Sequence, residues 1–427
     1  MAKETGDTEG RRPDTHAMLR HFVGTAFAFD KPDKVAVAVS GGGDSMALLH
    51  LMAEWASEEG VRLKVVTVNH GLRSEAAEEA RFVAEVSKRL QLQHTTLNWT
   101  GYTGSGNLQD AARRARYRLM ADWAKAEGIS TIALAHTADD QAETFFMRLA
   151  RASGIDGLTG MQRRRSAEGI TWVRPLLLQE RAELRDYLRD IREPWVDDPT
   201  NDDEAYERVR VRKAMVELNK LGIDMHVVGR VMDHLGHVRS ALDFATHDHA
   251  LSCVREEKGD LIIDRRRFAE AAPEINRRLI AQALRWIASA EYGPRGMKLQ
   301  EFLSAMMRGR DATLHGVRLL GGKASFRLTR EYAAVSNTRV PLGELWDGRW
   351  IVEGSENMDF YVRALGEDGL LQLGERPESA PPREVLKASP AVFQGNTLIS
   401  APLAEHGFAT ARLIHPENGF YTSLLSH

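Results

Sequence analysis

Hydrophobic and polar positions along the first half of the chain switch between two periods. Val35-Ala36-Val37-Ala38-Val39 is an unbroken apolar run, the pattern of a strand buried on both faces of a parallel sheet. Met46 to Met52 then reads as a helix. Leu63 to Val68 predicts a second strand and His94 to Leu97 a short third. Ser74 to Leu90 carries helical periodicity, with Ser74 as its cap. Leu108 to Glu127 predicts a helix rich in arginine, Thr131 to Ala135 a strand, and Ala138 to Arg151 another helix. Strand–helix units repeated at this length imply an α/β fold, a doubly wound parallel sheet.

The second half changes character. From about Ala214 to Ala288 the pattern is helical, with Glu274 to Ala288 the clearest amphipathic stretch. Val317 to Leu320, Gly321-Gly322 and Ser325 to Thr329 read as a β-hairpin. Short strands are expected at 350–352, 360–364 and 370–373, and Pro377, Pro381 and Pro382 mark a loop or linker. The expected organisation is a polar extension and first helix over 1–30, and the α/β domain over 31–215. A mainly helical, basic middle domain follows over 216–340, then a small β-rich module over 341–427. No internal repeat or low-complexity tract is visible.

The turn after the first strand is the most specific feature. Residues 40–45 are Ser-Gly-Gly-Gly-Asp-Ser. Three glycines let the backbone turn sharply and come close to a ligand. A helix that starts there points its first N–H groups at an anion such as phosphate. No lysine follows the glycines, so this is not the kinase-type phosphate loop. In a doubly wound sheet, ligands sit beyond the carboxyl ends of the strands. The glycine loop, Asn69-His70-Gly71 and the His136 region all fall at such ends.

Three further segments carry candidate chemistry. His136-Thr137-Ala138-Asp139-Asp140-Gln141-Ala142-Glu143 follows a predicted strand. On a helix Asp139 and Asp140 share a face with Glu143. Thr137 and Asp140 also fit a capping box, the purely structural role for Asp140. Carboxylates beside a phosphate loop suit Mg²⁺ or the amines of a cationic substrate. Arg113, Arg114, Arg116 and Arg118 lie on one predicted helix, and Arg113 and Arg116 are one turn apart. Arginine forks suit phosphate or an RNA backbone; a solvated face is the plainer alternative. Arg208, Arg210 and Arg212 alternate after Trp195 to Asn201. They would share one face of a strand and spread around a helix.

Composition narrows the class. The chain has 427 residues and a formal net charge of −3, so any nucleic-acid role rests on local patches. Residues 264–330 are such a patch, with 14 Lys and Arg against 6 Asp and Glu. It includes Arg265, Arg266 and Arg267, a basic surface suited to RNA or DNA. Cys253 is the single cysteine, which excludes internal disulfides and any mechanism that needs two thiols. No apolar run approaches a membrane span, and residues 1–16 lack the apolar core of a secretory signal. A cytoplasmic protein with no membrane partner is expected.

Taken together, these motifs resemble the tRNA(Ile)-lysidine synthase family of the PP-loop (N-type) ATP pyrophosphatase superfamily, whose fold is adenine nucleotide alpha hydrolase-like. The Ser40 to Ser45 loop looks like the superfamily signature. Val68 to Arg73, Ala112 to Tyr117, His136 to Thr144, Gly154 to Leu158, and Trp195 to Asn201 with Tyr206 to Arg212 are similar to the narrower family's segments. The match is strong over 33–215 and weaker beyond. One departure is Val209, where many members carry asparagine.

The resemblance implies that ATP activates C2 of the wobble cytidine in an isoleucine tRNA with a CAU anticodon. Free L-lysine then displaces AMP and leaves lysidine. It implies ATP binding by Ser40, Gly41, Gly42, Gly43, Asp44, Ser45 and His70, with Mg²⁺ on Asp44. Catalytic roles are expected for Asp44, His136, Asp139, Asp140, Glu143, Arg113 and Arg208. Contacts to tRNA are expected from Arg210, Arg212, Arg265, Arg266 and Arg267. Which carboxylate meets lysine and which meets metal stays open. So does oligomeric state, with a homodimer as one option. The competing readings are a thiolating tRNA enzyme, an amidotransferase-coupled ligase, and a non-catalytic RNA-binding protein of the same fold. A single cysteine argues against the first, and an intact loop with its carboxylates against the last.

Overall fold

The computed structural model describes residues 15–69, 71, 76–99, 108–197, 207–290, 292–294, 296–354, 359–414 and 419–425. It divides into two compact units, Met1–Val238 and Arg239–His427.

The first unit runs α1 (Thr15–Phe27), β1 (Lys34–Ala38), α2 (Gly43–Glu59), β2 (Arg62–Asn69), α3 (Ala76–Arg89), β3 (Gln93–Asn98) and α4 (Leu108–Ala126). It continues with β4 (Thr131–Ala133), α5 (Ala138–Ala150), α6 (Ile155–Leu158), β5 (Arg164–Ala167), β6 (Ile170–Val173), α7 (Arg181–Asp190) and α8 (Glu207–Lys220). The sheet order is β3-β2-β1-β4-β6-β5. All neighbours are parallel except β5, an antiparallel edge on β6. The order reverses at β1, so the crevice past the carboxyl ends of β1 and β4 is the switch point where such sheets bind ligands.

The apolar run at β1 is buried on both faces, as its pattern requires. Val35 and Val37 join one core with residues of α1, α2, α3 and α7, and Ala36 joins another with Met120, Ala121 and Ala124 of α4. Each fully buried valine contributes on the order of 1.5–3 kcal/mol. Helix α2 is buried continuously from Ser45 to Met52 and stops at Gly60, whose φ of 67° closes the helix in the left-handed region. Its first turn is therefore held rigidly at the sheet edge.

Helix α9 (Met225–Cys253) carries the chain into the second unit. There β7 (Val254–Glu257), β8 (Asp260–Asp264), α10 (Arg265–Phe268), α11 (Pro273–Ala288), α12 (Met297–Met307), β9 (Ala312–Leu314), β10 (Val317–Gly321) and β11 (Ser325–Arg330) follow. The strands form an antiparallel sheet ordered β7-β8-β11-β10-β9. The expected hairpin over 317–329 is β10–β11. The helical pattern expected over 214–288 is interrupted by a second hairpin, β7–β8, turned at Lys258 and Gly259, whose φ values are 49° and 87°. That is the two-residue turn that matches strand twist.

Beyond it come α13 (Tyr332–Val335), β12 (Arg339–Pro341), β13 (Leu345–Trp346), β14 (Trp350–Glu353), β15 (Tyr361–Ala364) and α14 (Gly366–Leu373). They are followed by α15 (Arg383–Lys387), β16 (Pro390–Gln394), β17 (Thr397–Ser400), β18 (Thr410–Leu413) and α16 (Gly419–Ser423). Residues 370–373, read as a strand, end helix α14. Leu370 and Leu373 are buried while Leu371 is exposed, a helical spacing too short to declare itself in four residues. No helix among the described residues is long and apolar enough to cross a membrane.

Candidate functional site

A cleft of about 650 Å³ opens at the switch point, lined by the loop after β1, the ends of β2 and β4, and residues from α4, α7 and α8. The glycine loop forms its floor. Gly41 has φ 92°, a conformation that side-chain-bearing residues rarely adopt. The Val196 N–H donates to the Gly41 carbonyl at 3.0 Å, and the Trp195 indole lies against Gly43, so the 195–197 segment folds back over the loop. The Ser45 hydroxyl donates to the Gly42 carbonyl at 2.8 Å and accepts from the Ser40 N–H at 3.1 Å. Helix α2 begins at Gly43 with no side-chain cap. Its first N–H groups therefore meet the cleft unblocked, the arrangement that binds phosphate.

One end of the cleft is acidic and is organised around Arg181, the first residue of α7. Its Nε donates to Asp44 Oδ2 at 3.0 Å and its Nη2 to Asp140 Oδ1 at 3.3 Å, while Nη1 lies 3.6 Å from Glu143 Oε1. Its backbone N–H donates to Asp139 Oδ2 at 2.7 Å. Burial pushes the Asp44 carboxyl above the usual range despite Arg181. Burial alone would lower the Arg181 pKa, but Asp44, Asp140 and Asp139 together raise it. Asp140 divides its oxygens. Oδ2 accepts from the Thr137 N–H at 3.0 Å in a capping box, and Oδ1 faces Arg181. Glu143 is fully buried, accepts from Arg212 Nε at 2.5 Å, and leaves Oε2 with no hydrogen-bond partner among the described residues.

The other end is basic. Arg174 Nε donates to His136 Nδ1 at 3.2 Å. Because arginine only donates, Nδ1 is the acceptor and the ring proton sits on Nε2. Burial, reinforced by Arg174, Arg116 and Arg113 and opposed by Asp140, carries the His136 pKa down to about 3. Burial also lowers Arg116, whose Nε has no hydrogen-bond partner among the described residues. Tyr117 beside them is raised by burial, but Arg113, Arg116 and Arg174 more than reverse this and bring its hydroxyl below the usual value. Among the described residues no carboxylate hydrogen-bonds Arg116 or Arg174, and a positive end of this kind suits an anion.

This geometry gives a pH prediction. The His136 ring should stay neutral from pH 5 to 8, with no transition near 6.5. Below 6.5 the unfolded chain binds a proton that the folded ring refuses, so this group lowers stability as pH falls from 6.5 toward 3. Ring-nitrogen NMR of labelled protein measures it, and a His136 titration near 6.5 would contradict the assignment.

The PP-loop domain family model matches residues 14–219. A tRNA(Ile)-lysidine synthase of Ruegeria pomeroyi is 46% identical over 404 residues, covering 94% of this chain and 96% of that one. The chain belongs to the tRNA(Ile)-lysidine synthase family. The synthase of Wolbachia pipientis wMel is 35% identical over 328 residues, covering 74% of this chain and 76% of its own. Among solved structures, the U34-tRNA thiolase NcsA of Methanococcus maripaludis covers 52% of this chain and 79% of its own, at 16% identity and a TM-score of 0.45.

With the family known, each expected residue can be placed. Ser40, Gly42, Gly43, Asp44, Ser45, His136 and Asp140 line the cleft, and Gly41 supports the loop from behind. His70 lies outside the described residues, as do Ser74 and Arg73. Asp139 caps the start of α7. Glu143 is an anchor below the cleft, held by Arg212 and 3.9 Å from Arg208 Nε. His136 was a candidate proton acceptor. Its acceptor nitrogen Nδ1 is taken by Arg174, which leaves the ring no lone pair for a substrate proton.

Arg208, Arg210 and Arg212 lie on helix α8, not a strand, so they spread. Arg212 lines the cleft on Glu143 rather than offering itself outward to tRNA, and Arg210 is exposed. Val209 is a buried apolar part of the cleft wall. Arg113 is exposed, and Arg116 one turn on is the arginine that enters the cleft. Arg265 is half-buried, lying over the Phe326 ring and donating to the Met307 carbonyl, while Arg266 and Arg267 are exposed, Arg267 also donating to the Ser252 carbonyl.

Much of the basic excess over 264–330 is matched by acids elsewhere in the second unit. Arg278 pairs with Asp243, Arg318 with Glu384, Arg327 with Asp260 and Arg330 with Asp347. Arg181 and Arg174 are the important residues not singled out from sequence, because no local pattern distinguishes them from surface arginines; Arg116 reads there as the partner of Arg113 one turn away.

Proposed function

We propose that this cleft carries out the family's reaction on the chain's own substrates. The chain is an ATP-dependent ligase that joins L-lysine to C2 of the wobble cytidine in an isoleucine tRNA with a CAU anticodon. It passes through an adenylated tRNA and releases AMP and pyrophosphate. The observation that carries the reading is one cleft with three unlike parts: an uncapped phosphate loop, an acidic end and a basic end.

Each part answers a chemical need. The N–H groups of the loop and of the first turn of α2 hold the ATP phosphates. The cytidine C2 oxygen attacks the α-phosphorus, and pyrophosphate leaves. Asp44 supplies an oxygen donor for Mg²⁺, and no three carboxylate or imidazole donors converge on a metal-sized point among the described residues. That fits an ion bound by one carboxylate together with phosphates and water. When bound there it would neutralise the departing pyrophosphate. Arg116 and the His136 Nε2–H face the negative charge that gathers on the activated oxygen and the leaving AMP, with Arg174 fixing the His136 ring from behind. The acidic end receives the lysine ammonium charge, and Asp140 Oδ1 is the carboxylate oxygen best placed to meet it.

AMP, pyrophosphate and RNA-linked lysine should appear in equal amounts. ADP and orthophosphate would place the chemistry elsewhere. The thiolation reading has no support in the single thiol, Cys253, which is buried in the second unit and pushed up to about 11 by burial. A cytoplasmic setting goes with a tRNA substrate.

The tRNA also needs a grip beyond the cleft, and Arg266 is extended into solvent, its side chain 92% exposed. Arg266→Glu should weaken tRNA binding a few-fold and make the salt slope shallower by about 1–2, with ATP affinity unchanged. Binding across a salt series checks this. An unaltered affinity and slope would reduce that charge to ordinary solvated surface.

A further inference from the structure

Arg181 is oddly placed for a structural residue. It is the first residue of α7, where a positive charge opposes the helix dipole. The capping of that helix is already provided by Glu180 and Glu183. Its guanidinium instead reaches into the cleft and meets Asp44, Asp140 and Glu143 at 3.0, 3.3 and 3.6 Å. Two of those carboxylates keep other partners without it. Asp140 retains Thr137, and Glu143 retains Arg212. The carboxylates surround a polyatomic cation rather than a metal-sized point.

We infer that Arg181 is a built-in counter-ion of this carboxylate cluster that holds the lysine ammonium position and is displaced when lysine binds. The inference rests on the reading that the acidic end receives lysine. Three carboxylates brought together without a cation would repel one another. Arg181 neutralises them before substrate arrives and keeps the loop carboxylate Asp44 in place. The cost is competition. Lysine binds only the fraction of molecules whose guanidinium has swung away, so its apparent affinity is lowered by that fraction. The swing needs no backbone change, because the Arg181 N–H bond to Asp139 holds the main chain while the side chain moves.

The test is equilibrium dialysis of labelled lysine against the full chain saturated with tRNA and a non-hydrolysable ATP analogue. Arg181→Met should bind lysine at least fivefold more tightly than the unaltered protein. Arg181→Lys, which keeps the charge, should stay within twofold. Unchanged or weaker lysine binding by the methionine variant would overturn the inference.

If that variant does not fold, the unaltered protein still decides. The Arg181 Nε–H resonance should lose its Asp44 hydrogen bond on lysine addition, and an unmoved resonance counts against displacement. Asp140→Asn separates the two levels, since its amide keeps the cap acceptor and drops the charge. Weaker lysine binding there, without tightening in Arg181→Met, defeats only the counter-ion role. Undiminished binding there defeats both that role and the acidic-end reading.

Discussion

Asp44→Ala should cut lysidine formation by about 10³-fold or more while the chain still folds. Asp44 is the only carboxylate of the glycine loop, and it sits in the first turn of α2, where the proposed reaction would bring the ATP phosphates. Losing one preorganised electrostatic group in such a site typically costs about 10²–10³ in rate. Loss of the proposed Mg²⁺ donor would add to that. The fold should lose little. A first-turn carboxylate contributes roughly 0.3–1 kcal/mol to its helix, and burial already disfavours this charge. Lysine incorporation and AMP release, measured beside a thermal melt, separate the two effects. Turnover within tenfold of the unaltered protein would remove Asp44 from the mechanism.

Arg116→Met should have the opposite signature on stability. We expect turnover to fall about 10²-fold while the melting temperature holds or rises by a few degrees. Arg116 is a desolvated cation that Tyr117 only partly offsets and that Arg113 and Arg208 repel. Its Nε has no hydrogen-bond partner among the described residues. Methionine keeps the aliphatic volume and drops the charge, which relieves roughly 1 kcal/mol of strain of this kind. Strain kept at a working site in exchange for function is the usual trade between stability and activity. A large drop in melting temperature with full turnover would make Arg116 a structural residue.

The parts legible in the sequence were those whose physics is local. The apolar run at 35–39 declares a strand buried on both faces. Three glycines before a helix declare a backbone that approaches a ligand. Thr137 and Asp140 declare a cap, and the cap is there. The roles of Glu143 and Arg212 depend on each other across 69 residues, and no periodicity records that distance. Arg181 looked like any arginine after Leu176-Leu177-Leu178, because its partners come from α2 and α5. The charge count over 264–330 could not show which arginines pair: acids at 243, 260, 347 and 384 answer four of them, while Arg266 and Arg267 stay exposed. The β7–β8 hairpin hid behind helical composition, its Lys258-Gly259 turn being the one local mark.

This cleft is proposed to link lysine to a cytidine by way of ATP. Purified protein, ATP, Mg²⁺, labelled lysine and an isoleucine tRNA transcript with a CAU anticodon test it directly. The transcript is digested to nucleosides after the reaction. The account predicts label in a single modified cytidine, absent without ATP, with one AMP formed per lysine. A transcript that takes up no lysine while the protein still binds ATP and tRNA would contradict it.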